Sequence, residues 1–202
     1  MSMAAVLRGM SLRNWPRDPK PGINPDMCHF ITLIVPPVDL KILNAVLQPY
    51  RGDARPIHNP SLAAKLDPGD LQLMTAGHCD CGTVLAKYER SSPEADEARI
   101  ARLQKRGWSK AKIERSVANR NHARARPRAT VDSIAMWSGL IEAVLTELPV
   151  KRAGLFLHFY NGNIETEALQ PGLRLAPQGA PVAEALNSFN EDEVLIFARP
   201  AA

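Results

Sequence analysis

The sequence predicts an α+β protein with a ferredoxin-like split βαβ sheet core, an inserted basic helical hairpin and an extra C-terminal strand. Two segments with an apolar helical face indicate helices that pack on a sheet, and short runs of β-branched and aromatic residues are typical of strands. The predicted order is strand 28–35, helix 39–48, strand 55–58, strand 71–76, helix 130–148 and strand 154–160. We therefore expect residues 27–202 to form one domain, with the hairpin at 93–128 and an extended or disordered leader at 1–26.

The first strand and helix have clear boundaries in the sequence. Pro36 and Pro37 end the strand 28–35, and Asp39 is a typical N-cap residue for the helix that follows. Turn residues fill most of 51–70, which leaves room for a short strand at 55–58 and one helical turn at 61–66. After the strand near 71–75 comes the segment Gly77-His78-Cys79-Asp80-Cys81-Gly82.

The middle of the chain is predicted to be helical. Helices at 93–106 and 109–121 are separated by Gly107, with Ser109 as the cap of the second. The helix at 130–148 has the clearest apolar periodicity and ends at Pro149.

The C-terminal part is predicted to return to strands. The strand 155–160 is followed by Asn161-Gly162, a type I′ turn signal, so 164–168 is expected to return as an antiparallel strand. Residues 171–181 are expected to form a long loop, and 193–198 the last strand.

Composition excludes several classes of protein. The chain of 202 residues is 45% hydrophobic and 23% charged, which is ordinary for a globular protein. Three cysteines do not make a disulfide framework, and no apolar run reaches the length of a membrane span, so we expect a cytosolic protein. The proline-rich leader lacks the apolar region of a signal peptide. Either it is a flexible tail or Met27 is the natural start.

Most of the cysteine and histidine side chains are predicted to meet at one edge of the sheet. If the first strand runs antiparallel beside the third and the fourth, Cys28 approaches Cys79 and Cys81. Zinc prefers four ligands drawn from Cys and His. The candidates for the fourth ligand are His29, His78 and His158. The sequence therefore predicts a zinc site, either structural or catalytic.

Two other interpretations of the cysteines stay open. They are buried, reduced packing residues, or Cys28 or Cys79 is a nucleophile activated by a histidine that Asp80 or Asp39 orients. Met27-Cys28 resembles the opening of the N-terminal-nucleophile amidotransferases, which implies a hydrolase or amidotransferase-like activity if Cys28 becomes N-terminal. The β–α opening departs from the strand-rich start of that family, so no functional residue is carried over.

The net charge of +4 is unevenly distributed. Residues 99–128 hold eleven basic residues and one acidic residue, Glu114, a net charge of +10 that leaves −6 for the rest of the chain. This predicts an anionic partner, with nucleic acid the first candidate. Trp108 lies among these charges and is a candidate for stacking on an unpaired base. The candidate anion-binding residues are Arg102, Lys105, Arg106, Trp108, Lys110, Lys112, Arg115, Arg120, Arg124, Arg126 and Arg128.

Alternatives remain for the basic hairpin as well. It is a solvated insertion that packs on the body, or it contacts an acidic protein surface. In the latter case the chain is a non-enzymatic interaction module of the inhibitor or immunity type, and the cysteines only pack. The sequence contains no common nucleotide-binding or hydrolase motif, and the acids Glu165, Glu167, Glu191, Asp192 and Glu193 receive no role.

Overall fold

A computed structural model describes residues 28–50, 54–76, 79–86, 93–124 and 132–199. These residues form a mixed α+β fold with six helices and six strands, which confirms the predicted class. No helix within the described ranges is long and apolar enough to cross a membrane. The predicted leader and Met27 lie outside these ranges.

The strands are β1 (Cys28–Val35), β2 (Arg55–Ile57), β3 (Leu71–Met74), β4 (Arg152–Tyr160), β5 (Gly172–Leu175) and β6 (Glu193–Ala198). The helices are α1 (Leu40–Leu47), α2 (Pro60–Ala63), α3 (Pro93–Lys105), α4 (Lys110–Arg124), α5 (Ile134–Glu147) and α6 (Val182–Asn187).

The six strands form one sheet in the order β2-β3-β1-β4-β6-β5. Neighbours are antiparallel except β5 and β6, which are parallel. Strand β1 lies between β3 and β4, and all eight of its residues are buried. A strand covered on both faces needs mostly apolar side chains, and six of its eight residues are apolar, with His29 and Thr32 as buried polar exceptions. The pairing aligns Cys28 with Tyr160, so β1 begins where β4 ends.

Two clusters of buried side chains cover the two faces of the sheet. Alternate residues of β1 such as Ile31 and Leu33 face the larger cluster, to which α1, α5 and α6 contribute. The residues between them, among them Cys28 and Phe30, face a smaller cluster that contains Leu62 of α2 and Leu169. This alternation follows from the two-residue period of a strand.

The helix caps form as the sequence predicts. Asp39 accepts a hydrogen bond from the Lys41 amide at 2.7 Å. Ser109 Oγ accepts from the Lys112 amide at 3.4 Å. Each cap satisfies an amide that lacks a partner in the first helical turn.

The predicted antiparallel strand at 164–168 is wrong, and so is the loop predicted for 171–181, which contains β5. Gly162 does not have the positive φ that a type I′ turn requires. Instead Asn59 Nδ2 donates to the carbonyls of Ile164 and Glu167 at 2.8 and 2.9 Å, and Glu167 Oε2 accepts from the Asn161 amide at 2.8 Å. These bonds hold the segment across the end of β4, and the edge position beside β6 is taken by β5.

Asn59 is the residue whose loss should weaken this part of the fold most. It is fully buried, caps α2 and holds two carbonyls of the 164–167 segment. We expect Asn59→Ala to lower the free energy of unfolding by about 3 kcal/mol, because the cap is lost and buried carbonyls lose their donor. Urea denaturation measures this value. The exposed Asn187→Ala is the control, and equal stability of the two variants would contradict the assignment.

Candidate metal centre

The sulfur atoms of Cys28, Cys79 and Cys81 all lie within 4.8 Å of one another. Cys28 begins β1, and the other two belong to the loop that follows β3. Cys28 and Cys81 are buried, Cys79 is half-buried, and none is in a disulfide. The predicted convergence of the three cysteines is therefore confirmed. Tetrahedral zinc at a Zn–S distance of about 2.3 Å separates its sulfur ligands by about 3.8 Å, so the cluster needs a closure of at most about 1 Å.

Asp80 fixes the loop to β1. Its amide donates to the His29 carbonyl at 2.8 Å, and its carboxylate accepts from the Ile31 amide at 2.8 Å. Asp80 is buried, so both bonds are shielded from water. The loop thus takes the place of a strand beside the first residues of β1 and brings Cys79 and Cys81 to Cys28.

Cys81 has the environment of a thiolate. The His29 amide donates to its sulfur at 3.2 Å, and His29 Nδ1 lies 4.0 Å from the same atom. Hydrogen bonds from the Cys28 and Cys79 thiols, with His29, lower the pKa of the Cys81 thiol far below its usual value. The contacts of Cys28 with Cys79 and Cys81, together with burial, raise the pKa of the Cys28 thiol. The contacts of Cys81 therefore favour its thiolate form, which is the form of cysteine that binds a metal.

His29 adjoins the cluster but is not one of the three converging donors. Its ring packs edge-on against Phe159 at 4.9 Å between centroids, and its Nε2 lies 3.5 Å from Glu191 Oε2. Burial works against a charged ring, but the contacts with Cys81 and Glu191 raise the pKa of His29. The structure places His29 beside the Cys81 sulfur, where it could orient and tune that sulfur if a metal were bound.

His158 is not at the cysteine cluster, so its prediction as a metal ligand is wrong. Its Nδ1 bonds to Asp192 Oδ1, and its Nε2 lies 3.4 Å from Glu167 Oε1. Although burial opposes protonation, the bonds to Asp192 and Glu167 raise the pKa of His158 to about 9. Both ring nitrogens of His158 are therefore donors at neutral pH. The third histidine candidate, His78, lies outside the described residues.

The His158 network extends to the basic hairpin. Arg102 donates to Asp192 Oδ2 at 3.1 Å, and the charge of Arg106 is one of the causes that lower the pKa of Glu167, after its contact with His158. Asp192 has a φ of 63°, a conformation that few residues other than glycine adopt. These side chains line a cleft of about 30 Å³, roughly two water molecules in size.

Sequence reasoning missed the acids that surround the two histidines. Glu191 contacts His29, and Asp192 and Glu167 enclose His158, although the sequence assigns a role to none of the three. One signal was available: a histidine inside a strand as apolar as β4 needs a polar partner when it is buried. Glu167 and Asp192 follow His158 by 9 and 34 residues, and these separations do not identify them as its partners.

The predicted anion-binding residues fall into two groups. Arg102 and Arg106 line the cleft, whereas Lys105, Lys110, Lys112 and Arg115 are exposed. Trp108 is half-buried between the two helices. The side chains of Arg120 and Arg124, and the whole of Arg126 and Arg128, lie outside the part of the chain that the structure describes.

Comparison with protein-family models, curated proteins and solved structures found no match to this chain.

The His158 network makes stability depend on pH. Its pKa rises from 6.5 to about 9 on folding, so its contribution is fully present below pH 6.5 and is lost as the pH rises through about 9. We expect His158→Gln to be less stable than the wild type by about 3 kcal/mol at pH 6, with the difference shrinking toward pH 10. Denaturant unfolding of both proteins across this range measures it. A difference that stays constant from pH 6 to pH 10 would contradict a charged, buried His158.

Proposed function

We propose that the chain binds one zinc ion through Cys28, Cys79 and Cys81. The observation that carries this proposal is the convergence of three sulfur atoms within 4.8 Å. Two of the three cysteines come from one loop and the third from a strand about 50 residues earlier, so the fold itself creates the cluster.

The donor chemistry favours a thiophilic ion. Three cysteine sulfurs are soft ligands that suit zinc, copper(I) or iron–sulfur centres and are poor ligands for magnesium or calcium. Zinc is the best fit among these, because it takes three cysteines with one further ligand and needs no second metal.

Simple packing of three reduced cysteines explains the site less well. The Cys81 sulfur accepts a backbone hydrogen bond at 3.2 Å, and the neighbouring Asp80 is a buried carboxylate. Metal thiolates are commonly stabilised by N–H groups directed at sulfur in this way.

The bound ion would act mainly as a structural link. It would join the first residue of β1 to the loop after β3, adding to the Asp80 bonds and to the bond from the His29 amide to the Cys81 sulfur. In this proposal β2, β3, β1 and β4, with α1 and α5, form a ferredoxin-like split βαβ core, and zinc fixes the segment that continues from its third strand.

A second candidate function is nucleophilic catalysis by Cys81. His29 Nδ1 lies 4.0 Å from the Cys81 sulfur, and His29 Nε2 lies 3.5 Å from Glu191 Oε2. This arrangement has the order of nucleophile, base and orienting acid. The candidates for the nucleophile from the sequence alone were Cys28 and Cys79. Cys81 is only 5% exposed, which leaves a substrate little access and makes this candidate the weaker one.

Zinc loading of the purified full chain tests the first proposal. We expect one zinc per chain and a rise in unfolding free energy of about 2.7 kcal/mol when free zinc is 100 times the dissociation constant. Each of Cys28→Ser, Cys79→Ser and Cys81→Ser should abolish the stoichiometric zinc. His29→Gln should keep the stoichiometry and weaken affinity by about 10-fold to 100-fold, because it contacts a ligand and is not one.

The matched control is His158→Gln, which removes a buried histidine that does not contact the cluster. It should bind zinc like the wild type. A folded wild-type protein that takes up no zinc would overturn the metal proposal. In that case selective alkylation of Cys81 in the native protein, lost in His29→Gln, would support the nucleophile.

A further inference from the structure

We propose that the tip of the α3–α4 hairpin binds single-stranded nucleic acid. The tip is defined as Lys105, Trp108, Lys110, Lys112 and Arg115, and the proposal is independent of the metal centre. It rests on how the tip is built, how the hairpin is anchored, and where its charges lie relative to the helices.

The turn between the helices is a defined structure. Gly107 has a φ of 75°, its amide donates to the Gln104 carbonyl at 2.9 Å, and the Trp108 amide donates to the Leu103 carbonyl at 3.1 Å. This pair of bonds is a Schellman motif, which ends α3 and fixes the residue after the glycine. Ser109 then caps α4. The backbone therefore holds Trp108 in one place at the tip.

The opposite side of the hairpin is anchored to the body. Leu103 and Ile113 are buried, and Ser116 Oγ donates to Asn161 Oδ1 at 2.7 Å. Arg102 adds its bond to Asp192. Because these contacts use one side of the hairpin, the basic residues of the tip remain exposed to solvent.

Lys110 and Lys112 lie at the end of their helix where a positive charge is unfavourable. They stand in the first turn of α4, which has no acidic residue, where the helix dipole is positive. The cations at the end of α3, Arg102 and Lys105, are by contrast at the favourable end of their helix. A local conflict of this kind is expected at functional positions, and a bound phosphate would relieve it.

The acidic residue of α4 next to the tip, Glu114, does not neutralise the charges of these lysines. Glu114 lies 3.9 Å from Lys110 Nζ, but the two side chains are 64% and 92% exposed. Exposed pairs of this kind contribute little. The tip therefore keeps a strong positive charge that an anion can use.

Trp108 decides between nucleic acid and other polyanions. Its half-buried ring lies under Lys112, whose Nζ is 3.9 Å from the ring centroid. A nucleotide offers a flat base for the ring and a phosphate for the ammonium group, whereas an acidic peptide offers only carboxylates. Bases in a duplex are already stacked, so the expected ligand is a single strand.

Fluorescence anisotropy of labelled single-stranded 20-mers of thymidine and uridine, with the full purified chain, tests this proposal. We expect binding that weakens steeply with salt, as phosphate contacts require. The double variant K110E/K112E should lose at least 10-fold in affinity. It should stay folded, because glutamate suits the start of a helix better than lysine does.

The matched control is K41E/K65E. Lys41 and Lys65 are exposed lysines of the body, and Lys41 also stands in the first turn of its helix. This variant has the same net charge as K110E/K112E and should bind like the wild type. Equal losses in the two variants would mean that net charge alone drives binding, and would overturn a site at the tip.

Trp108→Ala should lower affinity for the single strands about 10-fold and leave binding of polyglutamate unchanged. Binding of polyglutamate as tight as that of the oligonucleotides would overturn the proposal in favour of an acidic protein partner. Tighter binding of duplex DNA, or no binding at low salt, would also overturn it.

Discussion

The attachment of the Cys79–Cys81 loop to β1 by Asp80 is the interaction on which the candidate centre depends. One buried residue supplies both a donor to the His29 carbonyl and an acceptor for the Ile31 amide. Cys79 and Cys81 stand on either side of Asp80 in the chain, so the bonds of Asp80 to β1 hold both cysteines beside the start of that strand. Cys28 is the first residue of β1, and the three sulfur atoms consequently lie within 4.8 Å of one another.

The cysteine cluster and the basic hairpin are connected through two consecutive acids. Glu191 contacts His29, which in turn contacts Cys81, while Asp192 binds both His158 and Arg102 of α3. These acids stand just before β6, where the left-handed conformation of Asp192 turns the chain into the sheet. The structure thus uses one short turn to support two features that the sequence presents as unrelated.

Strong local patterns predicted the elements, and the strand order predicted the cysteine cluster. The bounds of β1 and β6 follow from apolar runs between turn residues, and Cys28 meets Cys79 and Cys81 because β1 lies between β3 and β4. Strand β5 was not predictable, because its alternation of Leu173, Arg174 and Leu175 spans only three residues, both leucines are exposed, and pairing with β6 makes the segment a strand. The partners of His158 were predicted wrongly, because strand order fixes only which edge of the sheet a residue reaches. Its actual partners, Glu167 and Asp192, come from loops whose paths depend on tertiary hydrogen bonds such as those of Asn59.

X-ray absorption at the zinc edge of the purified full chain tests the central claim most directly, because it counts sulfur ligands without relying on stability or activity. Zinc held by Cys28, Cys79 and Cys81 predicts three sulfur scatterers at about 2.3 Å and one lighter ligand. A first shell made only of nitrogen and oxygen would contradict the account, because it would place the ion away from the cysteines.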